Sequence, residues 1–309
     1  MKERVQPEPS LVAIGPVAAA TRVYLHAGRR RLAVIGKLTC AIEHDARLRL
    51  VEPHPIVGPA DRAAGAPLSA GDVGLTLPHA QVLVAGTAYA PGAAPVDRVQ
   101  VRVAVARGQE MLIDKRLEVL GDRSGAPRDT MQASREGPEA PAPFTAMPIA
   151  YERAFGGPGF QPNPIGTGLV AGADDRARLP NIYLSDGQLS EAPPGLGPIP
   201  AWFAMRRRFL GKTPIEAAEA GRPAELSDDF DPQFFLAAPA DQQLEAWSGG
   251  ELILLANLHP EHPTLRTYVP HFATTSALQT ARGARIPITL RLDTVWLDPT
   301  SLLAELTLR

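Results

Sequence analysis

Residues 144–168, FTAMPIAYERAFGGPGFQPNPIGTG, place the charged pair Glu152 and Arg153 next to a group of glycines. Such a pair could do acid/base chemistry, bond backbone groups of a loop or contact a partner. On a strand the two side chains would point to opposite faces and could not pair with each other. Each then needs another partner, so a structural role within the loop is the favoured interpretation. Acid/base chemistry and partner contact stay open as alternatives.

The glycines of this stretch superficially resemble a phosphate-binding loop. No Lys-Ser or Lys-Thr follows Gly156, Gly157 and Gly159, and no strand–loop–helix pattern surrounds them. The chain also lacks the G-x-S-x-G pattern of a hydrolase nucleophile. Because glycine serves positions with positive φ or close backbone approach, we predict that Gly156 and Gly157 shape a loop.

Two segments could in principle hold a metal ion. His259 and His262 flank Glu261 in HPEHP, but the prolines exclude a metalloprotease helix and no third ligand is evident, so a turn is predicted. The acidic run 228–231 lacks the glycine turn and terminal Glu of a calcium loop, and Asp231 is better explained as a helix cap. We therefore expect no metal, no cofactor and no catalytic residue.

The overall charge gives no sign of a nucleic-acid or membrane partner. The chain of 309 residues has a net charge of −2, and the run 206–208 beside Trp202 and Phe203 is its one basic–aromatic patch. Three arginines alone are typical of a solvated or ion-paired surface. Cys40, the single cysteine, lies on an apolar strand face and is predicted to be a buried hydrophobe.

The first 20 residues are predicted to form an extended arm ahead of one domain, 21–309. A positive start before an Ala/Val patch suggests a signal peptide, but Pro7, Glu8, Pro9 and Pro16 interrupt the apolar part. No stretch approaches the roughly 20 apolar residues of a membrane span. We expect a soluble, cytoplasmic protein without membrane insertion.

Alternating apolar and polar residues predict strands near both ends of the chain. They indicate a meander over 21–53 with a bulge at Gly36, a buried strand over 77–91 with a close approach at Gly86, and a hairpin over 99–123. Further strands are predicted over the following ranges: 251–258, 265–270, 285–298 and 301–309.

Residues 124–245 lose this pattern and are rich in proline. Aromatic and aliphatic residues recur along them, so we expect this middle to wrap the sheets as ordered irregular structure. The anchors would be Phe144, Phe155, Phe160, Ile182, Trp202 and Phe203. Helices are predicted at Thr213–Ala220, with a capping box, and after Asp231. The expected fold is mainly β: an antiparallel sandwich or barrel-like sheets around a long Pro/Gly-rich middle with one or two short helices.

Several segments, in order, resemble a domain-of-unknown-function family associated with bacterial type VI secretion. They are LPHAQVLVAGTAYAP (77–91), GDR (121–123), YERAFGG…NPIGTG within 144–168, LPNIYL (179–184), GPIPAWFAMRRRFLG (197–211), DDFDPQFFLAAPADQQ (228–243) and GGELILLANLHP (249–260). The resemblance covers roughly residues 10–309. Its most specific part is the YERAFGG…NPIGTG segment followed by DFDPQFF…APADQQ.

The resemblance implies a non-enzymatic adaptor or chaperone. It would bind a type VI secretion effector and help load it onto a VgrG-type or PAAR-type spike protein. The alternatives are a structural spike-associated component and, less favoured, a hydrolase delivered as an effector. The signature residues that could contact a partner are Tyr151, Glu152, Arg153, Phe155, Gly156, Gly157, Asn163, Pro164, Gly166, Trp202, Asp231 and Phe234.

Overall fold

The chain forms two large β-sheets, several short strand pairs and a few short helices. The structure, a computed structural model, describes residues 11–57, 71–72, 74–75, 77–137, 139–170, 176–185, 192–219, 224–271, 276–280 and 282–309. In chain order the strands described are β1 (Ala18–His26), β2 (Arg29–Ile42), β3 (Leu48–Leu50), β4 (Ala80–Val84), β5 (Thr87–Tyr89), β6 (Arg98–Arg107), β7 (Glu110–Leu120), β8 (Ser124–Gly125), β9 (Ala146–Pro148), β10 (Phe155–Gly156), β11 (Thr167–Gly168), β12 (Ala177–Arg178), β13 (Ile182–Leu184), β14 (Ala224–Leu226), β15 (Gln243–Leu244), β16 (Leu252–Ala256), β17 (Thr264–Tyr268), β18 (Ser276–Gln279), β19 (Arg285–Ile288), β20 (Leu292–Asp298) and β21 (Leu303–Leu308).

The helices are all short. The α-helices described are α1 (Met131–Arg135), α2 (Ala204–Arg207) and α3 (Ile215–Glu219), and the 3-10 turns are Pro91–Ala93, Tyr151–Arg153, Pro232–Phe235 and Ala240–Gln242. Among the described helices, none is long and apolar enough to cross a membrane.

The larger sheet, called sheet 1, joins strands from both ends of the chain. Its order is β14–β1–β2–β21–β20–β4–β15, with β3 beside the end of β2. The pairs β1–β14 and β20–β4 are parallel, and the other pairs are antiparallel. Ala27 and Gly28 make the first hairpin turn with positive φ. The predicted meander and the predicted association of the two chain ends are confirmed.

The second sheet, sheet 2, has the order β13–β7–β6–β16–β17 and is antiparallel throughout. Alternate residues of β6 and β7 are buried, as their period-two pattern predicts. Both sheets have two free ends in the described part of the chain, so neither closes into a barrel. The mainly-β prediction is confirmed, in its sandwich form.

A shared hydrophobic core fixes the two sheets face to face. Cys40, Val82 and Leu297 of sheet 1 belong to the same buried cluster as Val101 and Leu117 of sheet 2. The Cys40 thiol is buried, as predicted, and burial raises its pKa to about 11. This core makes the sandwich the rigid frame on which the middle of the chain is mounted.

The irregular middle covers the opposite face of sheet 1. Phe230 and Phe234 form a second buried cluster with Tyr24 of β1, and Ala237 packs on Leu83 of β4. Residues 197–219 and 227–242 therefore add a third layer, called the outer layer here. The prediction that the proline-rich middle wraps the sheet is confirmed.

Some boundaries and details differ from the sequence predictions. Strand 285–298 is split into β19 and β20 by residues 289–291, and 77–91 contains two strands, β4 and β5. Gly36 keeps the regular β2 register, and a Cβ at Gly86 would meet side chains at ordinary van der Waals distance, so the bulge and the close approach were wrong. Actual register shifts lie between Val105 and Ala106 and between Leu292 and Thr294.

Both predicted helical segments are present, the second as a 3-10 turn. The helix at 215–219 and the 3-10 turn after Asp231 are present, and the Asp231 carboxylate accepts a hydrogen bond from Gln233 N as a cap. The Thr213 hydroxyl accepts a hydrogen bond from Ser227 N at 2.8 Å, which ties the start of α3 to the end of β14. Helices α1 and α2 were not predicted.

Two predictions extend beyond the part of the chain that the structure describes. Of the predicted N-terminal arm, residues 1–10 lie outside the described ranges, and so does Ala220 at the predicted end of the helix. Residues 11–17 contain no strand or helix, and β1 begins at Ala18, three residues before the predicted start of the meander.

Candidate functional site

The segment 151–168 is a tight loop rather than the continuation of a strand. Tyr151–Arg153 forms a 3-10 turn, and β10 then pairs in parallel with β11. The expectation that Glu152 and Arg153 lie on a strand was therefore wrong. The prolines and glycines of the segment favour a local turn over an extended ladder, because proline cannot donate a ladder hydrogen bond.

Asn163 is the centre of this loop. Its buried Nδ2 donates to Tyr151 O at 2.8 Å and to Phe155 O at 3.1 Å. A Cβ on Gly156 would lie 2.1 Å from Asn163 O, and a Cβ on Gly166 would lie 2.4 Å from Asn163 Nδ2. Only glycine fits at these two positions, because the loop closes directly on the asparagine.

Gly157 shapes the loop through its backbone conformation. It has a φ of 148°, while a Cβ there would meet neighbours at no less than 3.4 Å. Its N–H donates to Asn163 O at 3.0 Å. Gly157 thus shapes the loop, as predicted, and its N–H bonds within the loop.

Arg153 has the structural role predicted for one member of the charged pair. Its Nη1 donates to Asp122 Oδ1 at 3.1 Å and to Asn181 Oδ1 at 3.0 Å. Asp122 also accepts from Arg178, and this bond, with those from Asn181 and Arg153, lowers the pKa of the Asp122 carboxyl. Glu152, in contrast, is exposed.

A chain of aromatic rings leads from this loop to the surface. The buried Tyr151 hydroxyl donates to Gly197 O at 2.7 Å, and its ring lies 6.1 Å from that of the buried Phe203. Phe203 contacts Trp202 with 4.8 Å between ring centroids. Trp202 itself is 47% exposed, so its prediction as a buried anchor was wrong.

Helix α2 follows Phe203 and is fastened by an arginine. Arg206 is buried, where a solvated run was predicted. Its Nε and Nη2 donate to Phe234 O at 3.0 and 2.7 Å, and its Nη1 donates to Ile199 O at 2.7 Å. Its guanidinium also lies over the Phe234 ring at 5.1 Å. A planar group that bridges two carbonyls in this way holds α2 in one position.

The result is an exposed aromatic and basic surface on a rigid support. It consists of Phe160, Pro164, Trp202, Arg207 and Arg208 and is called the Trp202 surface below. Two hollows of about 510 and 470 Å³ lie on it, and Trp202 and Arg207 line both. Residues that carry aromatic rings and guanidinium groups are enriched at the energetic centres of protein interfaces.

A separate cleft of about 420 Å³ lies beside Tyr151, where β4 ends. It is called the Tyr151 cleft below. Most of its wall is backbone and apolar side chain, and its ionisable lining side chains other than Tyr151 are Glu152 and Asp298. Residues lining it are Val84–Thr87, Pro148–Glu152, Gly195–Pro198, Trp296, Asp298 and Thr300.

The histidine segment is a turn, as predicted. His259 is buried, and its Nδ1 accepts hydrogen bonds from the backbone N–H groups of Glu261 and His262, both at 3.0 Å. Burial, and to a lesser extent the neighbouring His262, lowers the pKa of His259. Its ring stacks on that of His262 with 4.5 Å between centroids, and the His44 ring contacts His262 edge-on at 5.0 Å.

The acidic run also serves the fold. Asp229 Oδ1 accepts from Lys212 N at 3.1 Å, and Asp231 caps the following 3-10 turn. Within the described ranges, no three His, Cys, Asp or Glu side chains come together in a way that could hold a metal ion.

Comparison of the sequence with profiles of known protein families identifies the family of the chain. A profile of a family described as an uncharacterized protein conserved in bacteria (DUF2169) matches residues 27–309. The chain belongs to the DUF2169 family. No curated protein and no solved structure matches it significantly. The family description is silent on type VI secretion, which stays a prediction for this DUF2169 chain.

The DUF2169 fold brings most of the signature residues into one connected unit. Members of the 151–168 loop contact one another through Asn163. Trp202 joins them through Phe203, and Phe234 joins through Arg206, whose N–H bonds Phe203 O. Asp231 O in turn accepts a hydrogen bond from Phe234 N. Sequence reasoning missed the polar partners of this unit, which are the exposed Asp122 and the buried Asn181, Gln81 and Gln242. For Gln81 a signal existed, since it interrupts the apolar run of β4.

Proposed function

We propose that this DUF2169 protein is a non-enzymatic adaptor that binds a type VI secretion effector and helps load it onto a VgrG- or PAAR-type spike. The signature segments support this proposal through their resemblance to adaptors of that system. The observation that carries it is the Trp202 surface, which displays a tryptophan and two arginines on a rigid support.

The support of Trp202 makes this surface suited to binding. Phe203 and Arg206, which follow it along the chain, are buried and packed or bonded, so little conformational entropy is lost when a partner covers the surface. Arg207 and Arg208 are exposed, and they line the same hollow as Trp202. Their charge favours a partner segment that combines apolar with acidic residues.

The test is a pull-down and secretion assay in the native host, with Trp202→Ala compared with Tyr268→Ala. Tyr268 is a matched control, because it is 50% exposed but lies on β17, the edge of sheet 2. We expect the amount of effector that co-purifies with Trp202→Ala to fall at least about tenfold. A tenfold loss of affinity corresponds to about 1.4 kcal/mol of binding free energy. Tyr268→Ala should keep it.

Secretion separates the alternatives. Deletion of an adaptor should abolish export of one effector while the apparatus still assembles, whereas deletion of a structural component should block all export. A hydrolase effector would be toxic on expression, and a change at one polar residue would remove the toxicity. Recovery of neither effector nor spike protein with the wild-type chain would refute the adaptor function.

A further inference from the structure

The Tyr151 cleft has walls that are fixed by backbone hydrogen bonds. Val84 N donates to Leu196 O at 3.0 Å, and Ile149 N donates to Gly86 O at 2.9 Å. A third bond, from the Tyr151 hydroxyl to Gly197 O, fixes the wall formed by residues 195–198. The cleft is thus built into the junction of sheet 1, the strand pair β5–β9 and the outer layer.

The charge in this cleft is of one sign. Glu152 and Asp298 are the acidic groups of the lining, and no lysine, arginine or histidine is among the residues that line it. In the described part of the chain neither carboxylate forms an ion pair; Asp298 Oδ1 accepts a hydrogen bond from Ser301 N at 3.2 Å. Tyr151 adds no charge, because burial raises the pKa of its hydroxyl.

We propose that the Tyr151 cleft binds a basic side chain, arginine or lysine, within an extended segment of a partner protein. Such side chains have an aliphatic stem that packs on apolar walls and a cationic head that pairs with carboxylates. A volume of about 420 Å³ exceeds one side chain and suits a segment of two or three residues. The inference does not depend on the adaptor function.

The apolar wall distinguishes this cleft from a simple acidic patch. Ile149, Leu196 and Trp296 surround the space that the carboxylates border. Asp298 is partly buried beside this wall, so a cation that pairs with it is held more strongly than in open water, because the local dielectric is lower. A basic segment should therefore bind better than a small cation, which would gain only the electrostatic contact.

The test is a titration of the full chain with the peptide acetyl-Gly-Arg-Gly-amide, compared with the same peptide containing citrulline. Citrulline has nearly the shape of arginine but no charge. Binding can be followed by the fluorescence of Trp296 in the variant Trp202→Phe/Trp247→Phe, and by shifts of the Gly86 and Gly197 amide resonances. We expect the arginine peptide to bind at least about tenfold more tightly.

Neutralisation of the cleft should remove this preference. In Glu152→Gln/Asp298→Asn the arginine and citrulline peptides should bind equally, while the amide oxygen introduced by Asp298→Asn can still accept the bond from Ser301 N. Glu216→Gln, an exposed change on α3, is the control and should keep the preference. Thermal unfolding midpoints close to that of the parent chain confirm that the variants are folded.

Methylguanidinium separates a partner segment from a free small cation. We expect it to bind at least about tenfold more weakly than the arginine peptide, since it lacks the apolar contacts. Equal binding of methylguanidinium would overturn the assignment to a peptide segment. Equal binding of the citrulline peptide, no binding of either peptide, or an unchanged preference in the neutralised variant would overturn the cleft as a site for basic groups.

Discussion

Single polar residues decide more of this structure than the hydrophobic pattern reveals. Arg206 belongs to a run of three arginines, 206–208, that is typical of a solvated surface. It is nevertheless buried, while Arg207 and Arg208 are exposed. The pattern could not tell them apart, because the three residues have the same chemistry and the helix has only one turn. Capping by Asp231 was predictable, since it depends on the residues directly after it.

His259 allows a prediction about pH at the residue scale. Its lowered pKa means that the folded state binds the imidazole proton less tightly than the unfolded chain does. The associated stability is present above the unfolded pKa of about 6.5 and is lost as the pH falls through the lower, folded pKa. The main cause of the lowered pKa is burial, followed by the neighbouring His262. Protonation of Nδ1 would also break the two bonds that it accepts from backbone N–H groups.

The comparison is with His259→Asn, whose side-chain oxygen can accept the same bonds at every pH. Urea unfolding at pH 7.5, 6.5 and 5.5 should show a larger loss of the free energy of unfolding for the wild type than for the variant. His44 and His262 are present in both chains, so most of their contribution cancels in the difference. Parallel pH curves for the two chains would contradict the role assigned to His259.

At the scale of elements, the strands were predictable and their interruptions were not. The alternation of apolar and polar residues predicts β6 and β7, because each strand has one face on the core. The break between β19 and β20 lies in a stretch whose alternation continues across it, so no local signal marks it. The loop 151–168 was recognised as special by its glycines, but the bonds made by Asn163 involve residues that no spacing rule connects.

Helix α2 allows a prediction at the scale of elements, with two arginines as a matched pair. Arg206→Lys should lower the free energy of unfolding by about 2 kcal/mol or more, because a lysine cannot bridge Ile199 O and Phe234 O. Arg207→Lys, on the exposed side of the same helix, should change it by less than about 0.5 kcal/mol. Urea unfolding followed by circular dichroism measures both. Equal effects of the two changes would show that the bonds of Arg206 contribute nothing specific to stability.

For the whole molecule, the layered arrangement followed from the sequence but the order of strands did not. Strand-rich ends around a proline-rich middle indicated a sandwich or barrel-like sheets with a wrapped segment. The parallel pairing of β4 with β20 joins distant parts of the chain, such as Val82 and Val295, and local patterns contain no information about such partners. Local patterns also contain no information about the partners of the two glutamines that join the layers. Gln81 accepts from Ala237 N and Ala238 N, and Gln242 donates to Val82 O and Leu196 O.

These links predict that the sandwich and the outer layer unfold together. The buried Gln242 Nε2 bonds Val82 O at 2.9 Å and Leu196 O at 2.8 Å, and the preceding residue, Asp241, pairs with Lys115 of sheet 2 at 2.8 Å. Gln242→Leu removes both bonds from buried carbonyls and should cost about 1–3 kcal/mol. Gln100→Leu, at an exposed position of β6, is the control and should change stability by less than about 0.5 kcal/mol.

Native-state hydrogen exchange followed by mass spectrometry measures where that loss appears. If the layers form one cooperative unit, Gln242→Leu should reduce protection equally in peptides from 98–120 of sheet 2 and from 227–242 of the outer layer. The reason is that sheet 1 provides a buried face to each, so neither neighbour keeps its core when the other opens. Loss of protection confined to 227–242 would show instead that the outer layer opens on its own. The Trp202 surface would then be mounted on a part of the molecule that can open while the sandwich stays folded.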